Sequence, residues 1–333
     1  MDLSTKYLGL NLPSPLVASA GPLTGSLAGI IRLAESGVGA VVLPSLFEEQ
    51  LRAEADRDFF LHDAHAAGPE AQTYFRDADG PGGPDWPQRY LNLITRATAE
   101  VDIPVIGSLN GVTPGGWTDY ASAIEAAGAS AIELNVYYLP GDALIPARDA
   151  ERRYTEILTT VKAVVSIPVA VKLSPFFSSL GEMAVVLDHA GADGLVLFNR
   201  FMQTDINPET FTISTGFRLS VPAEAALPRA WMSRLHSLVN CSLAASTGVD
   251  TANDVAAYLL AGADVVMTTS ALLRHGPAHA QVLLDGLKGW MDRKGFTSLG
   301  AVRGLLAQVA GEPAYSRAGY LSAIEQASHT YSR

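Results

Sequence analysis

Four times along this chain an Ala-Gly-Ala tripeptide, or a close variant, runs straight into a block of apolar residues. The copies are SGVGAVVLP (Ser36–Pro44), AGASAIELN (Ala127–Asn135), AGADGLVLFN (Ala190–Asn199) and AGADVVMTT (Ala261–Thr269). Amphipathic stretches such as 121–127 and 252–260 precede them. A helix that stops at glycine and turns at once into a wholly apolar run is the signature of a strand buried on both faces of a parallel sheet. Between these copies lies a second kind of segment, a short polar or proline turn entering an apolar strand: PSPLVASAG, DIPVIGSLNG, SIPVAVKLSP and VNCSLAASTG. Interleaved, the two kinds predict strands at 15–20, 40–44, 104–109, 131–135, 168–173, 194–198, 242–246 and 264–268. Helical patterns such as 86–101 and 149–165 lie between them.

Eight strand–helix units are the count of a closed (β/α)8 TIM barrel. The rival, an open doubly wound sheet, often carries a Gly-x-Gly-x-x-Gly turn after its first strand, and this chain has none. The stretch 45–87, which contains DADGPGGPDWP, predicts a long excursion over the top of the barrel after strand two. No Ser/Gly-rich linker divides the chain. Residues 1–333 are therefore expected to form one barrel domain, with 296–333 as a C-terminal helical extension, helical around 299–309 and 318–327.

Composition excludes several function classes. A net charge of −11 with no basic run argues against nucleic acid or an anionic membrane surface as partner. The single cysteine, Cys241, cannot form an intrachain disulfide or a multi-cysteine metal site, and reads as inert packing. No apolar run approaches the ~20 residues that span a bilayer, and MDLSTKYLGL does not resemble a secretory signal, so the expectation is cytoplasmic. His62 and His65, and the set Glu48, Glu49, Arg52, Glu54 and Arg57, read as solvated loop and helix surface, with no metal site.

In a barrel of this kind the chemistry sits at the C-terminal strand ends. Here they read Ser19-Ala20-Gly21, Pro44-Ser45, Ser108-Leu109-Asn110, Asn135, Lys172-Leu173-Ser174, Asn199, Ser246-Thr247-Gly248 and Thr268-Thr269-Ser270. Small residues at the last two ends suit a phosphate held by backbone N–H groups. Any one of these polar residues serves equally well as a helix cap, but capping alone does not select Asn three times. Lys172, inside VAVKLSP, points into the barrel mouth and needs a partner for its charge. It reads as a Schiff-base lysine of an aldolase, a fixed cation beside an anionic cofactor, or a snorkelling surface lysine.

Several of these motifs together, NLPSPLVASAGP, IPVIGSLNG, AIELN, IPVAVKLSP, LVLFN and AASTG followed by LLAGADVVMTTSALL, resemble the dihydroorotate dehydrogenase family, in particular its class 1-like members. The likeness covers nearly the whole chain. It implies an FMN-dependent oxidoreductase on a CH–CH donor, active in pyrimidine biosynthesis, acting on a small molecule and forming a homodimer. FMN would lie across the barrel mouth, with Ala18, Ser19, Ala20 and Gly21 beneath the ring. Asn110, Asn135 and Asn199 would line ring or substrate, and Lys172 would face the end where reduced flavin carries negative charge. Backbone amides near Ser246, Thr247, Gly248, Thr268 and Thr269 would hold the phosphate.

The sequence departs from the family where substrate is handled. The family's Cys or Ser base has no counterpart in NVYYLP, where Tyr137 and Tyr138 stand instead. A lysine of the second strand falls at Pro44, and an asparagine-rich substrate loop is replaced by TYFRDADGPGGPDWP. A glycine pair of the phosphate loop reads Thr247-Gly248. The tyrosines are either weak acids at the base position or groups filling the space of a pyrimidine. The expectation is a divergent member with an altered substrate or little dihydroorotate activity. The alternatives are a flavin-binding protein without chemistry of its own, serving a redox partner as an electron-transfer module, and a flavin-free aldolase using Lys172.

Overall fold

Eight parallel strands hydrogen-bond into a closed ring in the computed structural model, which describes residues 1–51, 86–113, 117–138, 141, 143–200, 203–216, 218–308 and 317–331. Outside the ring, Thr5–Tyr7 (β1) and Leu10–Leu12 (β2) form a hairpin. The ring strands are Leu16–Ala18 (β3), Ala40–Val42 (β4) with its continuation Leu46–Phe47 (β5), Val105–Gly111 (β6), Ala131–Val136 (β7), Val169–Leu173 (β8) and Gly194–Leu197 (β9). After a second hairpin, Gln203–Asn207 (β10) and Thr212–Gly216 (β11), come Ser242–Ala245 (β12) and Val265–Thr268 (β13). β13 closes on β3, and β4 and β5 both pair with β6, so the second barrel strand is one strand interrupted at 43–45. All eight expected strands are present, and the fold is a (β/α)8 barrel.

The surrounding helices are Leu27–Glu35 (α1), Trp86–Glu100 (α2), Thr118–Ala126 (α3), Ala147–Lys162 (α4), Leu180–His189 (α5), Ala226–Leu235 (α6), Ala252–Ala261 (α7), Ser270–His275 (α8), His279–Lys294 (α9) and Arg317–Tyr331 (α10). The repeated glycine is a helix stop. Gly37, Gly128, Gly191 and Gly262, one in each copy of the repeat, all have φ between +86° and +113°, the left-handed conformation that ends a helix. The aspartates after two of them then bind the neighbouring strand: Asp193 accepts from the Val169 N–H (2.7 Å) and Asp264 from the Leu243 N–H (2.8 Å).

The N-terminal hairpin is absent from the sequence reading, and it closes the bottom of the barrel. Its two-residue turn, Leu8-Gly9, has positive φ at both positions, as a tight hairpin requires. Tyr7, Leu8 and Leu12 are buried against Val17, Val42, Ile106, Val196, Val265 and Met267, all facing the barrel axis. Gly194 makes room for this plug, since a Cβ there would lie 2.5 Å from the Leu8 side chain.

Two expectations need correction. The stretch 299–309 was expected to be helical, but it forms one 3-10 turn, Leu299–Ala301, followed by turns to 308. Gly304 is left-handed, and the N–H groups of Gly304 and Leu306 bond the Leu259 and Leu260 carbonyls in the last turn of α7. Tertiary bonds to another helix's end displaced local helix there. Glu48, expected on a solvated face, is buried and accepts from the N–H groups of Val112 (2.9 Å) and Thr113 (3.1 Å). The helix expected at 318–327 lies within α10. Glu49 of the same set is exposed, as expected. The excursion's residues 52–85, with His62, His65, Arg52, Glu54 and Arg57, lie outside the described residues. Among the described residues no helix is long and apolar enough to cross a membrane.

Removing the plug's aromatic ring should be costly. Tyr7→Ala is expected to lower stability by about 3–5 kcal/mol, the range for deleting a buried aromatic side chain, measured by urea unfolding followed by circular dichroism.

Candidate functional site

The strand ends at the top of the barrel surround one cavity of about 770 Å³, within the ~300–1,000 Å³ typical of small-molecule sites. Every residue expected to bind cofactor or to stand at the base position lines it except Ala18 and Tyr138, whereas Ser108, Leu109, Leu173 and Ser174 of the strand ends do not. Ala18 is buried as the last residue of β3, one position before the lining begins. Tyr138 packs against the hydrophobic core with the Arg153 guanidinium 4.3 Å over its ring. Tyr137 alone of the two phenols reaches the cavity.

Strand parity decides which side chains meet. Asn110, Asn135 and Lys172 are partners in register across β6, β7 and β8. Asn199, just beyond β9, donates from its side-chain amide to the Asn135 carboxamide oxygen, which joins two walls of the cavity. One pleat below Asn135, Glu133 faces the same way. It is buried, and its Oε1 lies 3.3 Å from the Lys172 Nζ, while its Oε2 has no hydrogen-bond partner. Glu133 was missed in the sequence, although alternation in AIELN puts Ala131, Glu133 and Asn135 on one face.

The opposite wall is built from small residues held by short bonds. The Thr269 hydroxyl donates to the Ser19 carbonyl (2.8 Å), and Gly21 is required beside it, because a Cβ would approach the Thr269 methyl to 2.5 Å. The Ser246 hydroxyl donates to the Phe198 carbonyl (2.9 Å). Thr247 and Gly248 both have positive φ, +80° and +70°. For a β-branched residue that conformation is strained by about 1–3 kcal/mol and persists only when its surroundings impose it. The Gly248 N–H turns to the Ser220 hydroxyl (3.3 Å), which in turn bonds Ser270 (3.0 Å).

Three buried tyrosines of the helical shell pin the strand ends from behind. The Tyr90 hydroxyl accepts from the Ser108 N–H (2.7 Å), Tyr154 donates to the Val136 carbonyl (3.1 Å), and Tyr258 donates to the Thr247 carbonyl (2.7 Å). Burial pushes all three phenols well above their ordinary range, so they act as fixed neutral hydrogen-bonding groups. Cys241 is equally inert: burial, reinforced by the Asp188 carboxylate, pushes its thiol up to about 12.

The lining also contains Phe47, Trp86 and Arg200, which sequence reasoning did not select. Arg200 is held by Glu224 (3.0 Å) and by the Arg218 carbonyl. Its position follows from Asn199, but nothing local distinguishes it from any surface arginine.

Comparison with known proteins shows the family. A sequence model of dihydroorotate dehydrogenase matches residues 82–291, more than half of the chain. The chain belongs to the dihydroorotate dehydrogenase family. It is 26% identical over 312 residues to the catalytic subunit of dihydroorotate dehydrogenase B (NAD(+)) of Methanothermobacter thermautotrophicus, covering 91% of this chain and 98% of that one. The corresponding subunit of Halalkalibacterium halodurans is 30% identical over 214 residues, 62% of this chain and 69% of its own. Among solved structures, the dihydroorotate dehydrogenase of Eimeria tenella in complex with ferulenol superposes with a TM-score of 0.64 over 91% of this chain and 88% of that one. At 15% identity that likeness carries the fold alone. A dihydroorotate dehydrogenase-like chain is an oxidoreductase by family, and its cavity is that of a small-molecule enzyme.

Freeing the strand-seven turn from its anchor tests how firmly the shell holds the cavity. Tyr258→Phe removes a donor shared by the Ser246 and Thr247 carbonyls. It should lower stability by about 0.5–1.5 kcal/mol, read from the urea midpoint at unchanged slope.

Proposed function

We propose that this protein is an FMN-dependent oxidoreductase that acts on a small molecule other than dihydroorotate. The observation that carries the reading is a division within one cavity. The wall of Asn110, Asn135, Lys172 and Asn199 and the small-residue turns at Ser246–Gly248 and Thr268–Thr269 line it together, while two residues beyond Asn135 the lining offers a phenol, Tyr137. The donor set fits FMN: side-chain amides for a heterocycle, a cation for an electron-rich ring, and hydroxylic turns at the ends of strands seven and eight for a phosphate. When bound, FMN supplies hydride exchange at its N5.

The chain's own residues have separable tasks. Asn135 and Asn199, bonded to each other, present the rest of their amide groups to the cavity and fix the orientation of what binds there. Lys172 holds positive charge at the floor. Tyr137 is a weak base at neutral pH and a usable acid, so a carbon-bound proton such as that of dihydroorotate would leave slowly. The Lys172–Glu133 pair also disfavours the aldolase reading, because the Lys172 Nζ is engaged with a buried carboxylate 3.3 Å away rather than free to attack a carbonyl. A flavin-binding role without chemistry remains the second reading, favoured by the place of Tyr138 beneath Arg153, away from the cavity.

The purified protein should be yellow, with two visible flavin bands, and should bind FMN far more tightly than riboflavin; equal affinities would sink the phosphate assignment. Thr269→Asp should expel FMN by placing a carboxylate against its phosphate. Dihydroorotate should reduce the bound flavin about 10²–10⁴-fold more slowly than general-base catalysis allows, measured by anaerobic stopped-flow bleaching. A screen of acceptors that reoxidise the photoreduced protein separates the two flavin readings, since a catalyst turns over and a passive binder does not.

A further inference from the structure

The buried ion pair beneath the cavity is asymmetric. Lys172 reaches the cavity, whereas Glu133 is sealed under it, with 1% of its side chain exposed against 11% for the lysine. One carboxylate oxygen meets the ammonium, and the other has no partner. Nor do the other polar groups of that layer share the charge. Ser108 is bonded to Ser45 (2.8 Å), and the Tyr90 hydroxyl is committed to the Ser108 backbone. Lys172 is the one ion-pair partner that Glu133 has among the described residues.

A buried pair of this kind is weak evidence for stability, because desolvating both charges offsets their attraction. Its position suggests another role. β7 and β8 put Lys172 level with Asn135 on the wall, and Glu133 one pleat nearer the plug. The carboxylate therefore lies behind the ammonium as seen from the cavity. It holds the flexible lysine chain in one place and subtracts from the charge felt above it.

We propose that Glu133 is a positioning residue acting through Lys172, and that it sets how much positive charge the cavity floor presents to a bound flavin. The inference rests on the cofactor reading above. A flavin gains negative charge when reduced, so a less compensated Lys172 favours the reduced form. Glu133→Gln keeps the shape and removes the charge. It should raise the affinity for reduced relative to oxidised FMN by about tenfold, the scale of coupling between contacting groups. In a Lys172→Gln background, Glu133 has no cation left to hold or to offset, so adding Glu133→Gln should change nothing further at the cavity.

The test is a double-mutant cycle on the FMN-loaded protein, read as midpoint potential by spectroelectrochemical titration from pH 6 to 9, with thermal melting in parallel. A raised potential in Glu133→Gln and equal potentials in Lys172→Gln and the double variant support the inference. Equal shifts in both backgrounds overturn it, since Glu133 would then act without Lys172. A changed melting temperature with an unchanged potential also overturns it, leaving only a structural pair. Glu133→Asp, which keeps the charge but withdraws it, should fall between wild type and Glu133→Gln, and serves if the amide variant does not fold. Wild-type protein that binds no FMN would overturn the cofactor reading and this inference with it. Bound FMN with an additive cycle overturns the inference alone.

Discussion

In a closed ring of parallel strands every side chain has two destinations, the barrel axis or the helical shell, and a shift by one residue exchanges them. The site depends on that constraint. Ile106, Ala131 and Ala170 fill the axis low in the barrel beside Tyr7 and Leu12. Continuing along the same face in steps of two gives Ser108 and Asn110, Glu133 and Asn135, and Lys172. One face of three neighbouring strands thus passes from packed core to polar cavity floor without any change of backbone geometry. The intervening residues Leu109, Ile132, Leu134 and Val171 face the helices and belong to the outer core.

The shell does more than cover those residues. Tyr90, Tyr154 and Tyr258 each send a hydroxyl from a helix to a backbone group at or near a strand end. An unpaired backbone group buried there would cost about 1–3 kcal/mol; Tyr90 serves the Ser108 N–H opposite the break between β4 and β5, and Tyr154 and Tyr258 serve carbonyls at the end of β7 and just beyond β12. Glu48 serves the end of β6 in the same way, with its carboxylate on the Val112 and Thr113 amides. A cavity lined by backbone as much as by side chains needs this second layer, because side chains at its rim, such as those of Gly21 and Ala20, are too small to hold it open.

The candidate site was legible where local sequence has one structural outcome. Lys172, Asn135 and Asn199 each end an apolar strand, and a polar residue there has few places to go in a barrel. Tyr137 and Tyr138 are adjacent, and adjacency sends two side chains apart; which one faces the cavity depends on where β7 ends, and it ends at Val136. Glu133 was readable from alternation but was hidden by its apolar neighbours. Arg200 was not readable at all, since its place depends on Glu224 and Arg218, distant in sequence.

By itself the sequence determined the number and order of the barrel strands, because glycine at a helix end and an unbroken apolar run are local facts with a local cause. It also determined that polar groups gather at the strand C-termini. Only the tertiary structure decided how the barrel bottom is closed, that 302–308 turns back to bond the end of α7 instead of continuing as helix, and that Glu133 is the partner of Lys172. Each of these pairs groups from elements whose spacing along the chain carries no periodic signal. Hydrogen bonding and charge pairing across the closed ring settle them after the strands are in place.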